Sequence, residues 1–302
     1  MNIKQYYLKA DILGKLILIN LGIFLVIKII SLFLFLGASN YSADYLATEY
    51  LAVPALPAKL LIRFYTPFTY MFLHTGFWHI FGNMLWLWFM GKIFIDFLDK
   101  KQLFAVYIIG GLSGALMYIL SFNIFPAFTN LAGSSVALGA SASVTAIVIA
   151  TAVFKPDYNV RLFGIVPVAL KWIGIFFVIY DLLTIQSENP GGHIAHLGGA
   201  LYGLLFAQSL KKGKDITKGF NRMIDNIVSL FSRRRSGNMY VSYKNSKIKG
   251  AENSQKESDG DYNQRQASDR ERTDMILEKI SKNGYDSLSK EEKEFLFKMS
   301  NK

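Results

Sequence analysis

The sequence contains no cysteine among its 302 residues. This absence excludes disulfide bonds, a thiolate nucleophile and any zinc site ligated by cysteine. Charge is scarce in one part of the chain only: residues 1–210 are mostly apolar, whereas residues 211–302 hold most of the charged side chains. Hydrophobic residues make up 52% of the whole chain. Because they are concentrated before residue 211, the sequence indicates an apolar region followed by a charged one.

Six apolar segments in the first 210 residues are candidates for membrane spans, since a helix needs about 20 mostly apolar residues to cross a bilayer. Several contain glycine, serine, asparagine or histidine, as expected of helices buried in a bundle rather than facing lipid. The sequence therefore predicts an all-α, polytopic membrane protein. The predicted spans are about 13–37, 77–98, 103–125, 135–154, 160–184 and 193–210.

Basic residues flank alternate ends of these spans. They occur before the first span, between the second and third, between the fourth and fifth, and after the sixth. By the positive-inside rule, both termini are predicted to be cytoplasmic. No cleavable signal peptide is evident, since the first apolar run is long and contains Lys15 and Lys28. We therefore expect a multi-pass protein of a bacterial-type inner membrane.

The chain divides by composition into four segments, of which the first is a membrane domain at 1–210. Residues 211–240 are a basic juxtamembrane segment with an amphipathic stripe, which either lies on the inner leaflet or packs against the bundle. Residues 241–268 are rich in polar and charged side chains and are predicted to be a disordered linker. Residues 269–302 are predicted to form a small helical hairpin, with a capping box at 289–292.

All four histidines lie at or inside the predicted outer half of the membrane, although a random scatter would place some in the polar tail. They are His74, His79, His193 and His196. An ionisable side chain at membrane depth is costly and by default indicates a functional site. His79 and Asn83 are four residues apart and share a helix face. They are either hydrogen-bond donors of such a site or polar contacts between helices.

Two segments carry small-residue faces, "GASAS" at 139–143 and "AHLGGALYG" at 195–203. Small residues at this spacing let helices approach closely, so we expect these two faces to pack together. One face carries Ser141 and the other His196, and a serine becomes a useful nucleophile when an adjacent base removes its proton. Plain helix packing with an incidental serine and histidine is the alternative interpretation.

Together with "HTGFWHIFGN" at 74–83, these motifs resemble those of the rhomboid intramembrane serine proteases. The resemblance covers about residues 60–210, and the order, spacing and span placement of the three motifs agree with it. It implies a rhomboid-like bundle of six transmembrane helices. It also implies peptide-bond hydrolysis by a Ser-His dyad, without a cofactor.

The resemblance implies a role for each matching residue. Ser141 matches the catalytic serine, and His196 matches the general base. His79 and Asn83, with the backbone N–H of Ser141, match the oxyanion hole. Gly139 belongs to the serine motif and frees the backbone around the nucleophile. The other supporting positions are His74, His193 and Gly199.

Three positions near the dyad need separate interpretation. His193 either binds the oxyanion, orients His196, or is a helix-end residue bound to backbone. Thr145 stands where relatives often carry a tyrosine that stacks on the histidine, so the orientation of the imidazole must come from elsewhere. Ser143 lies two positions from Ser141 and points to a different helix face, which indicates a packing role.

Asp181 lies on another predicted span, near its end. Because the resemblance implies a dyad, we expect a structural or interfacial role for Asp181 rather than the third place in a triad. The pair His193 and His196 puts two imidazoles on one helix face. No acidic ligand is expected beside this pair, so no metal site is predicted.

The leading hypothesis is an intramembrane serine endopeptidase that cleaves transmembrane or membrane-anchored proteins near the outer membrane face. The alternatives are an inactive rhomboid-like protein that binds membrane helices, and a transporter, for which neither an inverted repeat nor a path of charged residues is visible. The expected partners are transmembrane substrates, the lipid bilayer and an unidentified cytoplasmic partner of the tail. Alternating charges and the lack of an aromatic platform in the tail argue against nucleic acid.

Overall fold

The structure is a computed structural model that describes residues 11–162, 165–186, 189–231 and 272–300. The chain divides into two compact units, Met1–Arg235 and Ser236–Lys302. The predicted linker at 241–268 lies outside the described residues, as do the end of the juxtamembrane segment and the start of the hairpin segment.

Six long helices make up most of the first unit in the described part of the chain. They are α1 (Ile12–Leu36), α2 (Phe77–Phe97), α3 (Lys100–Ile124), α4 (Ser141–Phe154), α5 (Leu170–Thr184) and α6 (Pro190–Lys211). The first three are long and apolar enough to cross a membrane. Of the other three, α4 and α5 are shorter, with 14 and 15 residues, and α6 is a continuous helix of 22 residues that contains several glycines. The predicted all-α polytopic bundle is confirmed.

Two of the predicted spans begin too early. Within the predicted span 135–154, Val136–Ala137 form strand β2, which pairs antiparallel with β1 (Val53–Pro54), and the helix starts only at Ser141. The start of the predicted span 160–184 forms a hairpin of β3 (Asn159–Leu162) and β4 (Val166–Ala169). Apolar content alone does not distinguish a buried strand from a helix, and Pro167 disfavours helix at this point.

Helices α3, α4 and α6 form the centre of the unit and approach each other at small residues. A Cβ atom added to Gly199 would lie 2.1 Å from the carbonyl oxygen of Ala142, and one added to Gly203 would lie 2.3 Å from that of Ala146. On α3, a Cβ added to Gly110 would lie 2.3 Å from the Cβ of Ala146. The predicted close packing of the two small-residue faces is therefore confirmed.

Helix α7 (Lys218–Phe231) follows α6 and packs against one end of α3. The Phe220 and Phe104 rings lie 6.1 Å apart, and the Lys101 ammonium forms an ion pair with Asp225. Before α7, Asp215 accepts hydrogen bonds from Gln102 and Thr217. Although burial raises it, these hydrogen bonds hold the pKa of the Asp215 carboxyl below its usual value.

Packing against the bundle was one of the two predicted placements of this amphipathic segment. Phe220 and Ile224 are only partly exposed, whereas the outer side of α7 is apolar as well. Its exposed residues include Met223, Val228 and Leu230. This exposed apolar side is also suited to the membrane surface, so the two predicted placements are compatible.

The second unit contains helix α8 (272–283) and helix α9 (Lys290–Ser300), joined by a 3₁₀ turn at Tyr285–Ser287. Gly284 ends α8 with a φ of 76°, a backbone conformation that glycine adopts without strain. The predicted capping box forms at the start of α9: Glu292 accepts from the Ser289 N–H at 2.7 Å, and the Glu292 N–H donates to Ser289 Oγ at 3.2 Å. Ile276 in α8 and Leu288 just before α9 are buried.

Candidate active site

Ser141 is the first residue of α4. The first N–H groups of a helix have no partner within the helix, and the helix dipole makes this end positive. The backbone N–H of Ser141 is therefore among the groups that can donate to a bound anion or carbonyl oxygen. An earlier helix start, as the predicted span implied, would not provide this arrangement.

The segment before Ser141 is held by hydrogen bonds from two directions. The Gly139 N–H donates to the Tyr70 carbonyl at 2.9 Å, and the Ala140 N–H donates to His74 Nε2 at 3.3 Å. His74 is fully buried, which places it as a support for the serine segment rather than as part of its open surface.

Gly139 has a φ of 120°, a conformation that side chains rarely adopt. A Cβ atom here would also lie 2.7 Å from His79 Nε2 and 3.6 Å from Ser141 Oγ. Both the backbone angle and the available space therefore require glycine, and His79 lies directly beside the serine segment.

A cavity of about 370 Å³ opens beside Ser141. His196 on α6 lines the same cavity, as do His79 and Asn83 on α2. The structure thus brings together the four residues that the resemblance names for the dyad and the oxyanion hole. The other lining residues are Trp78, Gly82, Trp86, Val144, Thr145, Phe176, Phe177, Tyr180 and Asp181.

The hydrogen bonds among the described residues do not include a direct one between Ser141 and His196. Nucleophile–base contacts are often long before substrate binds, so the shared cavity is the relevant observation. The Asn83 side chain donates to the His79 carbonyl at 2.9 Å. Because an amide nitrogen carries two N–H groups, Asn83 retains a second donor for the cavity.

Ser143 does not line the cavity. It is fully buried, and its Oγ lies 4.0 Å from Met71 Sδ. A Cβ added to Gly111 would lie 2.6 Å from the same Oγ. These contacts agree with the packing role expected for Ser143. Gly199 likewise serves packing, at the contact with Ala142 next to the serine.

Asp181, near the end of α5, contacts both histidines of α6. Its side chain is 4% exposed, and its Oδ1 lies 2.8 Å from His196 Nδ1 and 2.9 Å from His193 Nδ1. These contacts join α5 to α6, which agrees with the structural or interfacial role expected for Asp181, although the histidines were not predicted as its partners. The missed signal was the carboxylate itself, since an acidic residue within an apolar span indicates function by default.

His193 does not line the cavity, so an oxyanion contact is not supported by its position. Its Nδ1 contacts Asp181 and lies 3.2 Å from Thr184 Oγ1, and its ring packs edge-on to Tyr180. Its backbone N–H donates to the Asn189 carbonyl, as at a helix start. His193 is thus bound both through its side chain and through its backbone.

The expectation that no acidic ligand lies beside His193 and His196 is wrong, because the Asp181 carboxylate accompanies them. Asp181, His193 and His196 offer three ligand atoms within 4.8 Å of one another. Ligand atoms of a tetrahedral zinc site lie about 3.3 Å apart, given bonds of about 2.0 Å. The separations of 2.8 Å and 2.9 Å are instead those of hydrogen bonds. The geometry therefore fits a hydrogen-bonded network better than a metal site.

The rhomboid domain family model matches residues 62–212, and residues 256–302 match a family of unknown function, DUF6576. The chain is 29% identical over 162 residues to RHOMBOID-like protein 12, mitochondrial, of Arabidopsis thaliana, covering 50% of this chain and 48% of that protein. It is 25% identical over 150 residues to Rhomboid protein 1, mitochondrial, of Saccharomyces cerevisiae, covering 47% and 40% respectively. The chain thus spans less than half the length of these two relatives. Since the domain match extends over half of the chain and includes every residue of the cavity, the chain belongs to the rhomboid family.

Proposed function

We propose that this rhomboid-family chain is an intramembrane serine endopeptidase, with Ser141 as nucleophile and His196 as general base. One observation carries the proposal. Ser141, at the start of α4, shares a single cavity with His196, His79 and Asn83, although these residues come from three different helices. The arrangement offers a nucleophile, a base and hydrogen-bond donors around one reacting atom.

In the proposed reaction, Oγ of Ser141 attacks the carbonyl carbon of the scissile peptide bond. The hydroxyl proton passes to Nε2 of His196, and the carbonyl π electrons move to the oxygen. When the tetrahedral intermediate collapses, the C–N bond breaks and the imidazolium gives its proton to the leaving amine. Water then attacks the acyl-enzyme, with His196 again as base, which releases the acid and restores Ser141.

The negative oxygen of the intermediate needs donors that are already in place. The Ser141 N–H at the helix start, the His79 ring and the second N–H of Asn83 are the proposed donors. Removing one such donor typically costs about 3 kcal/mol of transition-state stabilisation. The Ser141 N–H stays in position because the Gly139 and Ala140 N–H groups donate to the Tyr70 carbonyl and to His74 Nε2.

The proposed substrates are transmembrane or membrane-anchored proteins. The cavity lies between α2 and α5, where Trp86 and Phe177 meet edge-on with ring centroids 4.9 Å apart. The outer side of α5 exposes large apolar residues such as Phe176 and Ile179, which suit a lipid environment. A substrate helix must lose its internal hydrogen bonds to reach Ser141, so cleavage is expected at helix-weakening residues.

The membrane environment follows from the bundle, and the lipid bilayer is the surrounding medium. Both relatives named above are mitochondrial, so they lend no support to the expected bacterial-type inner membrane. The cytoplasmic placement of both termini remains a proposal based on the loop charges.

A second candidate function is that of an inactive rhomboid-like protein that binds membrane helices. One observation favours it: among the described residues, no hydrogen bond joins Ser141 to His196. The two candidates predict opposite results in a cleavage assay. A transporter finds no specific support in the site.

The test uses purified protein in liposomes and a generic transmembrane substrate with a small residue and a helix breaker near its outer end. Wild type and Ser143→Ala should cleave it, whereas Ser141→Ala and His196→Ala should not. Ser143→Ala is the matched control, because it removes a buried hydroxyl two residues away from the proposed nucleophile. Cleavage retained by Ser141→Ala would contradict the proposal.

A further inference from the structure

Asp181 is a buried carboxylate whose surroundings contain histidine but no permanent cation. In the described part of the chain, its hydrogen bonds and ion pairs involve His193 and His196, and neither lysine nor arginine. Burying an unpaired charge is costly unless polar groups stabilise it. The two imidazoles are therefore what holds this carboxylate inside the bundle, and the carboxylate in turn constrains them.

The hydrogen-bond directions can be followed along this network. Thr184 Oγ1 donates to the Tyr180 carbonyl at 2.6 Å, so towards His193 Nδ1 it acts as an acceptor. His193 Nδ1 must then carry the proton, which it shares with Asp181 Oδ1. An ionised carboxylate only accepts, so the 2.8 Å contact also requires the proton of His196 to be on Nδ1.

A proton on Nδ1 of His196 leaves the lone pair on Nε2, the atom that takes the hydroxyl proton in the proposed mechanism. The carboxylate also stabilises the imidazolium that forms when Ser141 is deprotonated, while remaining ionised itself. Thr145, one helical turn after Ser141, also lines the cavity but has no ring that could hold the imidazole by stacking.

We infer that Asp181 is the positioning residue of His196, so that the site works as a Ser141–His196–Asp181 triad rather than as a dyad. The inference rests on the proposed protease function. Asp181 on α5 thus orients the proposed base, His196, on α6. His193, which binds the same Oδ1, fixes the carboxylate from the side away from the cavity.

The kinetic test compares Asp181→Asn and Asp181→Glu with wild type. The amide of Asp181→Asn has nearly the same shape but lacks the charge that selects the Nδ1–H tautomer. We expect kcat to fall roughly 10²- to 10⁴-fold, with KM within about threefold of wild type. Asp181→Glu restores the carboxylate and should recover part of kcat. A kcat for Asp181→Asn within twofold of wild type, or equal losses in Asn and Glu variants, would overturn the inference.

Thr184→Val is the matched control on the same helix. It removes the hydroxyl that contacts His193 but leaves the Asp181–His196 contact in place, so its loss of kcat should be much smaller than that of Asp181→Asn. If the network served only to hold α5 against α6, Thr184→Val and Asp181→Asn would lower the melting temperature and kcat together. A loss of kcat confined to Asp181→Asn distinguishes positioning from such a structural role.

A spectroscopic measurement on the wild type tests the inference without any cleavage activity. The chain has only four histidines, so ¹⁵N-histidine NMR can resolve them, with assignment by single His→Gln variants. The inference predicts that His196 carries its proton on Nδ1, with an unprotonated Nε2. The opposite tautomer would overturn it. If the wild type fails to cleave any substrate but shows this tautomer, the proposed protease function fails and the Asp181–His196 assignment stands.

Discussion

Gly199→Ala is the substitution for which the structure gives the clearest expected effect. The new Cβ would lie 2.1 Å from the Ala142 carbonyl oxygen, whereas ordinary contacts begin at 3.4 Å, so α4 and α6 must separate by about 1.3 Å. Backbone atoms cannot rotate away as a side chain can. We therefore expect a cost at the upper end of the range for overpacking, about 3 kcal/mol.

The same displacement acts on the site, because Ala142 follows Ser141 and Gly199 lies one turn from His196. A misplacement of about 1 Å at a catalytic centre can lower the rate by about 10²-fold. Gly22→Ala is the matched control, since a Cβ at Gly22 in α1 meets no atom within 4 Å. Thermal unfolding in detergent and cleavage kinetics would be measured for both. Wild-type stability and kcat in Gly199→Ala would refute the close contact of α4 and α6.

Three further predictions follow from individual contacts. Gly139→Ala should abolish cleavage while the protein still inserts into membranes. The new Cβ would lie 2.7 Å from His79 Nε2, and the φ of 120° is strained for alanine. Substantial remaining activity would argue against the position of His79. Treatment with EDTA should leave the cleavage rate unchanged, because the Asp181–histidine separations are those of hydrogen bonds. A loss of activity that added zinc reverses would instead indicate a metal site. Since the pKa of Asp215 is lowered, its hydrogen bonds stabilise the attachment of α7 at neutral and mildly acid pH and are lost as the pH falls below about 4. Hydrogen exchange at 212–231, corrected for intrinsic rates, checks this, and release of α7 between pH 7 and pH 5 would contradict it.

Much of the candidate site could be predicted from the sequence because its residues lie in short local patterns. The motifs around His79, Ser141 and His196 predicted residues that the structure brings to one cavity. The small residues predicted which helix faces approach each other, since only glycine and alanine permit such contacts. The partners of Asp181 were not predicted because they lie 12 and 15 residues away on another helix, and the relative rotation of α5 and α6 is not visible in the sequence.

The fold was predicted at the level of helices but not of their starts. Composition identified all six apolar segments, yet it did not separate the strands at 136–137, 159–162 and 166–169 from the helices that follow. Apolar strands and apolar helices have the same hydropathy, and the difference depends on pairing with distant residues. The shift of the α4 start to Ser141 matters most, because it places the serine at the helix terminus.

The proposed function depends on Ser141 being a nucleophile that is activated within the bundle. The most direct test is to treat the folded, purified wild type with a serine-directed fluorophosphonate and to locate the label by mass spectrometry. We expect a label on Ser141 that is absent in Ser141→Ala and retained in Ser143→Ala. A folded wild type that remains unlabelled, or a label on another serine, would contradict it and would favour the rhomboid-like protein that binds helices without cutting them.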